Sequence, residues 1–171
     1  MKKKWYWLPA IIMMILIFYF SNQPGETSGD LSGGICYQMV SFAAEIFMTD
    51  WSQEEILLFS ERIDYPVRKL AHLTEYALLG MAITLGVRYG RRKEWTTGYL
   101  YQYLFVQMLG TLYAASDEWH QLYVPGRAGR MSDVLIDSLG IFIGWMVFQV
   151  IIKIRQKEET NVFNKESQIF E

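Results

Sequence analysis

Residues Val67 to Val87 read VRKLAHLTEYALLGMAITLGV, and this stretch decides the fold. Its second half is a run of apolar and small residues, whereas its first half carries Arg68, Lys69, His72 and Glu75. About 20 mostly apolar residues suffice to cross a hydrocarbon core roughly 30 Å thick. Ionisable side chains inside such a segment are costly, so they face a bundle interior and by default mark a site. Three further runs of this kind flank the stretch. They are Trp5 to Phe20, Trp95 to Ala115 and Asp133 to Ile152. The expectation is an all-α, multi-pass membrane bundle of four transmembrane helices.

Composition agrees. Of 171 residues, 51 % are hydrophobic and 16 % aromatic, and the apolar residues are blocked into long runs rather than dispersed as in a soluble core. The basic residues form no stripe on any one element, so a nucleic-acid partner is not expected. Cys36 is the single cysteine, which excludes an intrachain disulfide and any metal site built on several thiolates. Lys2, Lys3 and Lys4 ahead of the first run resemble the start of a signal peptide. Ser21-Asn22-Gln23-Pro24 offers no small-x-small cleavage site, so the run reads as an uncleaved anchor.

Basic residues near the span ends set the expected orientation. Lys2 to Lys4, Arg88, Arg91, Arg92, Lys93, Lys153, Arg155 and Lys157 all fall on one side of a four-span topology. That side is expected to be cytoplasmic, with both termini inside. Residues 1–157 then form the transmembrane domain, and residues 158–171 a polar cytoplasmic tail that frays. The long segment from Ser21 to Pro66 lies outside. Gln23 to Gly34 reads as loop, and Ile35 to Met48 as an amphipathic helix in the membrane interface. Ser52 and Glu55 form a capping box for a second short helix ending near Arg62, and Pro66 suits the first turn of the next span.

This topology gathers the unusual residues at one end. His72 and Glu75 open the second span; Asp117, Glu118, His120 and Gln121 close the third; Arg127, Arg130, Asp133 and Asp137 surround the start of the fourth. On the fourth span Asp133, Asp137, Gly140 and Gly144 share a face, with the two glycines allowing close helix approach. Ser132 is a natural N-cap there.

Four readings of the cluster stand open. Two histidines and five carboxylates supply donors for a divalent metal such as Zn²⁺ or Mn²⁺. His72, Glu75, Asp117, Glu118 and His120 are also candidate catalytic groups, since histidine beside carboxylates suits proton transfer near neutral pH. Gln121, Arg127, Arg130, Asp133 and Asp137 are candidate substrate-binding groups. The turn-rich Pro125-Gly126-Arg127-Ala128-Gly129-Arg130 feeds a helix N-terminus, a setting that suits an anion. Finally, the acids and bases are near charge balance and could serve only to pair helices.

These motifs resemble the VanZ-like family of bacterial membrane proteins. Its pattern runs basic-x-x-His-x-x-Glu-Tyr-x-x-Leu, then Ser-Asp-Glu-x-His-Gln, Pro-Gly-Arg and Asp-x-x-x-Asn-x-x-Gly. The positions here are Lys69, His72, Glu75, Tyr76 and Leu79, then Ser116, Asp117, Glu118, His120 and Gln121, then Pro125, Gly126, Arg127, Asp133 and Gly140. Ser21-Asn22-Gln23-Pro24 is similar to the family's Ser-x-Gln-Pro. One departure is Asp137, which stands where Asn is usual. The resemblance implies a bacterial cell-membrane protein whose namesake is an accessory factor in resistance to teicoplanin, an acylated glycopeptide. It implies membrane lipids as surroundings, and a lipid-linked wall precursor or an acylated glycopeptide as the partner of an outer-leaflet site.

Overall fold

In the computed structural model, residues 2–90 and 98–169 are described. Arg91, Arg92, Lys93 and Trp95, which carried part of the orientation and third-span expectations, lie outside them. A 3₁₀ segment, Lys2–Trp7, leads into five helices: α1 (Leu8–Ser21), α2 (Gly25–Ile46), α3 (Gln53–Gly90), α4 (Tyr99–Gln121) and α5 (Met131–Ile169). The protein is all-α among the described residues. Among the described residues, three helices are long and apolar enough to cross a membrane: Lys4–Ser21, Gln53–Gly90 and Met131–Asn161. α4 is not among them, because Gln102, Gln107 and the tyrosines Tyr99, Tyr101, Tyr103 and Tyr113 interrupt its apolar run. It nevertheless packs on α1, α3 and α5.

Small residues set the spacing. Ile141 of α5 seats between Gly80 of α3 and Gly110 of α4; a Cβ on Gly80 would lie 2.5 Å from the Ile141 carbonyl oxygen. A Cβ on Gly140 would lie 2.6 Å from the Leu73 carbonyl oxygen, and one on Gly144 would strike that of Ala77. α3 and α5 therefore meet backbone to backbone, as small-xxx-small faces allow. Around this seam, Tyr76, Leu79, Ile83, Val106 and Ile141 are fully buried. α4 is clipped to α5 through Gln107 Nε2, which donates to the Ser138 carbonyl at 2.9 Å and to its Oγ at 3.0 Å. At the far end Trp7 lies flat over Gly86 and Tyr6 meets Tyr89 at 5.5 Å, so α1 runs antiparallel to the second half of α3.

Three expectations change. α2 begins at Gly25 rather than Ile35: Gly29, Gly33 and Gly34, read as loop, stay helical within a helix that packs on α3. The expected second interfacial helix and second span are one helix, α3, which is continuous through Pro66. Its 38 residues rise about 57 Å at ~1.5 Å each, well beyond a bilayer core. Its start is the predicted capping box: Ser52 N–H and Oγ donate to Glu55 Oε2 at 2.8 and 2.9 Å, and Glu55 N–H donates to Ser52 Oγ at 3.3 Å. That projecting third packs on α2 through Val40, Ala44 and Ile56. Lastly, α5 stays helical to Ile169 instead of fraying after Lys153, since Lys, Glu and Gln propagate helix and no Gly or Pro intervenes.

Candidate functional site

At one end of the bundle, the close of α1, the start of α2, residues 65–76 of α3, the close of α4 and the start of α5 converge. Residues Leu122 to Arg130, between α4 and α5, fasten this end. Gly25 N–H donates to the Pro125 carbonyl at 2.9 Å, and the two backbones lie so close that a Cβ on Gly25 would strike Gly126. Gly126 itself has φ +73°, a left-handed conformation that favours glycine. Arg127 donates from Nε to the Gln23 carbonyl and from Nη2 to the Phe20 carbonyl, each at 3.0 Å. It thus adds a second donor to the Phe20 carbonyl, which already accepts from the Gln23 N–H at 3.2 Å, and places a cation where α1 ends, the favourable sign for a helix C-terminus. Burial pulls this guanidinium below its ordinary pKa, while Asp117 acts in the opposite sense.

The carboxylates divide by partner. Glu118 Oε2 accepts from the Arg130 N–H at 2.8 Å, a bond at the mouth of α5 that replaces the expected Ser132 cap; Ser132 Oγ donates to Asp133 Oδ1 at 3.2 Å instead. Gln121 Nε2 bridges Asp117 Oδ2 at 3.3 Å and Glu118 Oε1 at 3.4 Å, and Tyr76 OH donates to Asp117 at 3.4 Å. Lys69 pairs with Asp133, and Arg68 with Asp64 at 3.0 Å. Asp137 differs. It is 0 % exposed, neither oxygen has a hydrogen-bond partner among the described residues, and the basic group beside it is His72, with Nδ1 at 3.8 Å. A buried carboxyl without a partner is a cost that packing does not explain.

Two adjoining cavities open over this network. The first, 230 Å³, is lined by Arg68, Lys69, His72, Gln121, Arg127, Arg130 and Asp133, among others. Four cationic side chains face one carboxylate there. The Arg130 guanidinium makes no ion pair or hydrogen bond among the described residues. The second cavity, 410 Å³, shares Ser28, Arg68, His72 and Arg127 with the first and adds Glu75, Asp117 and the apolar Ile17, Phe20, Leu31 and Ile35.

Of the sequence candidates, His72, Gln121, Arg127, Arg130 and Asp133 line the first cavity, and His72, Glu75, Asp117 and Arg127 the second. Glu118 and Asp137 are buried behind them. His120 is turned aside: its ring lies 4.8 Å from Phe18, and Nε2 sits 3.2 Å from Asn22 Oδ1, so it meets the end of α1. Arg68, Lys69 and Ser28 line the site but were not among the candidates, although Arg68 shares a helical stripe with His72 and Glu75. No three His, Cys, Asp or Glu side chains among the described residues come together to hold a metal ion, so the donors counted in sequence form no such group. Cys36 is fully buried and lines neither cavity.

Curated proteins and solved structures provide no match to this chain. Its family is nonetheless clear, because the VanZ/LLP1 family model matches residues 6–153, most of the chain including every element of the site. The protein belongs to the VanZ/LLP1 family.

Proposed function

We propose that this is a four-span bacterial membrane protein, with α4 as the fourth span, that binds the anionic headgroup of an envelope lipid at the outer leaflet. The observation that carries the reading is the 230 Å³ cavity, whose lining holds Arg68, Lys69, Arg127 and Arg130 with one carboxylate, Asp133, and in which the Arg130 guanidinium has no ion pair or hydrogen bond among the described residues. Cations held in a poorly solvated cleft attract phosphate strongly, and arginine matches its geometry with two parallel donors. Of the two partner classes that the family resemblance suggests, a lipid-linked wall precursor fits better than an acylated glycopeptide because it carries phosphate. Sequestering such a lipid would be the route by which the chain affects susceptibility to a glycopeptide. Both termini are then cytoplasmic, with the site at the opposite face.

A second reading has its own support. Lys69–Asp133 and the two Arg127 bonds to α1 carbonyls show how the same charges could serve only to lock helices. Arg130 separates the two readings because its guanidinium holds nothing together. Isothermal titration of the full chain in detergent with glycerol 3-phosphate, the bare headgroup of a lipid phosphate, is the test. Arg130→Glu should lower affinity about tenfold or more, the worth of one charge-assisted hydrogen bond, while the melting temperature holds. Equal affinity in both proteins would favour the locking reading.

A further inference from the structure

We infer that the cleft between α1 and α2 is a lateral portal that takes the hydrocarbon chain of the same phosphate-headed lipid while its headgroup enters the cationic cavity. This inference rests on the headgroup reading above and adds the ligand's second half. α1 and α2 are joined only by Asn22 to Pro24, yet each packs on α3 and they form no comparable interface with one another. Between them lies the 410 Å³ cavity, within the size range of about 300–1,000 Å³ usual for small-molecule sites.

Its walls are graded. Phe20, Leu31 and Ile35 line it and are 46 %, 60 % and 47 % exposed, so the same side chains belong to the apolar outer surface of the bundle. Thr27, Ser28 and Ser32 give α2 a low-relief face toward the cleft. At the floor Arg68 and Arg127 are balanced by Glu75 and Asp117, so this cavity does not itself concentrate anions. Past the shared Ser28, Arg68, His72 and Arg127, the first cavity adds Lys69 and Arg130 against the single carboxylate of Asp133. An exposed apolar entrance leading to a chamber lined by Lys69 and Arg130 fits a ligand with an anionic head and a hydrocarbon chain. A water-soluble phosphate would have no use for the entrance.

The test uses the full chain in phospholipid nanodiscs with a phosphatidic acid bearing a diazirine at the end of one acyl chain. The control probe is phosphatidylcholine with the same chain. After irradiation, peptides carrying Phe20 and Leu31 to Ile35 should be labelled about tenfold more by the phosphatidic acid, matching a headgroup preference of that order. Arg130→Glu should abolish the excess. Thr27→Trp, at an exposed position, should also abolish it while leaving glycerol 3-phosphate affinity unchanged. Equal labelling by the two probes, with glycerol 3-phosphate still bound, would overturn the portal and leave the headgroup site standing. Absence of glycerol 3-phosphate binding would overturn both.

Discussion

Replacing Gly140 by alanine tests the helix seam on which the site is built. The new Cβ would lie 2.6 Å from the Leu73 carbonyl oxygen, 3.0 Å from Tyr76 Cβ and 3.2 Å from the Ala77 nitrogen. Ordinary contact begins at 3.4 Å, so along the first of these directions α5 must retreat by 3.4 − 2.6 = 0.8 Å. Two of the three obstacles are backbone atoms and the third is the Cβ of a fully buried tyrosine, so no flexible side-chain tip can yield. Overpacking of this kind costs about 1–3 kcal/mol. At about 2–4 °C per kcal/mol for a chain of this size, the melting temperature should fall by about 2–12 °C. Gly29→Ala is the control: nothing lies within 4 Å of its Cβ, and alanine is favoured over glycine in a helix by about 1 kcal/mol. That variant should melt at or slightly above the parent temperature. Thermal unfolding of the purified proteins in one detergent, followed by circular dichroism, reads both. If Gly140→Ala melts no lower than the parent, or no lower than Gly29→Ala, the close α3–α5 seam is wrong.

Three other predictions use different observations. Arg127→Ala removes both bonds to the Phe20 and Gln23 carbonyls and should cost about 2–4 kcal/mol, read as a lower melting temperature and faster proteolysis between Gln121 and Met131. Asp137→Leu removes a buried carboxyl that has no hydrogen-bond partner and should raise stability by about 1–3 kcal/mol; a fall would mean that the carboxyl is held by a bound group. In a Cys36→Ser background, Ser28→Cys should react with a membrane-impermeant thiol reagent in intact cells and Gln156→Cys should not; the reverse pattern would invert the orientation.

Much of this architecture is readable in the chain because membrane helices obey one period. Arg68, His72, Glu75 and Leu79 recur at helical spacing, and alternating topology brings residues 65–76 of α3, the end of α4 and the start of α5 to the same end. The capping box at Ser52 and Glu55 is local chemistry and forms as its spacing indicates. What escaped reading depends on neighbours that sequence does not display. His120 lies one residue from Gln121, about 100° around the helix, enough to turn it from the cavity toward α1. The glycines of α2 read as loop by propensity, although the segment is helical from Gly25. Arg127 lines both cavities, but its two bonds to the Phe20 and Gln23 carbonyls depend on where α1 ends, which the spacing of its own segment does not display. Asp137 looks like one acid among five, and only the packing of α3 on α5 shows that it has no hydrogen-bond partner.

The central claim, that Arg68, Lys69, Arg127 and Arg130 hold an anionic lipid headgroup, is tested most directly by native mass spectrometry of the full chain purified from its own membrane. The account predicts a retained phosphate-headed lipid on the parent protein. It also predicts loss of that lipid from an Arg68→Ala/Arg130→Glu double variant whose melting temperature falls by no more than a few degrees, since the half-exposed Arg68 makes a single i,i+4 pair with Asp64 worth about 1 kcal/mol. Retention of only neutral lipids, or equal retention of the anionic lipid by both proteins, would contradict it.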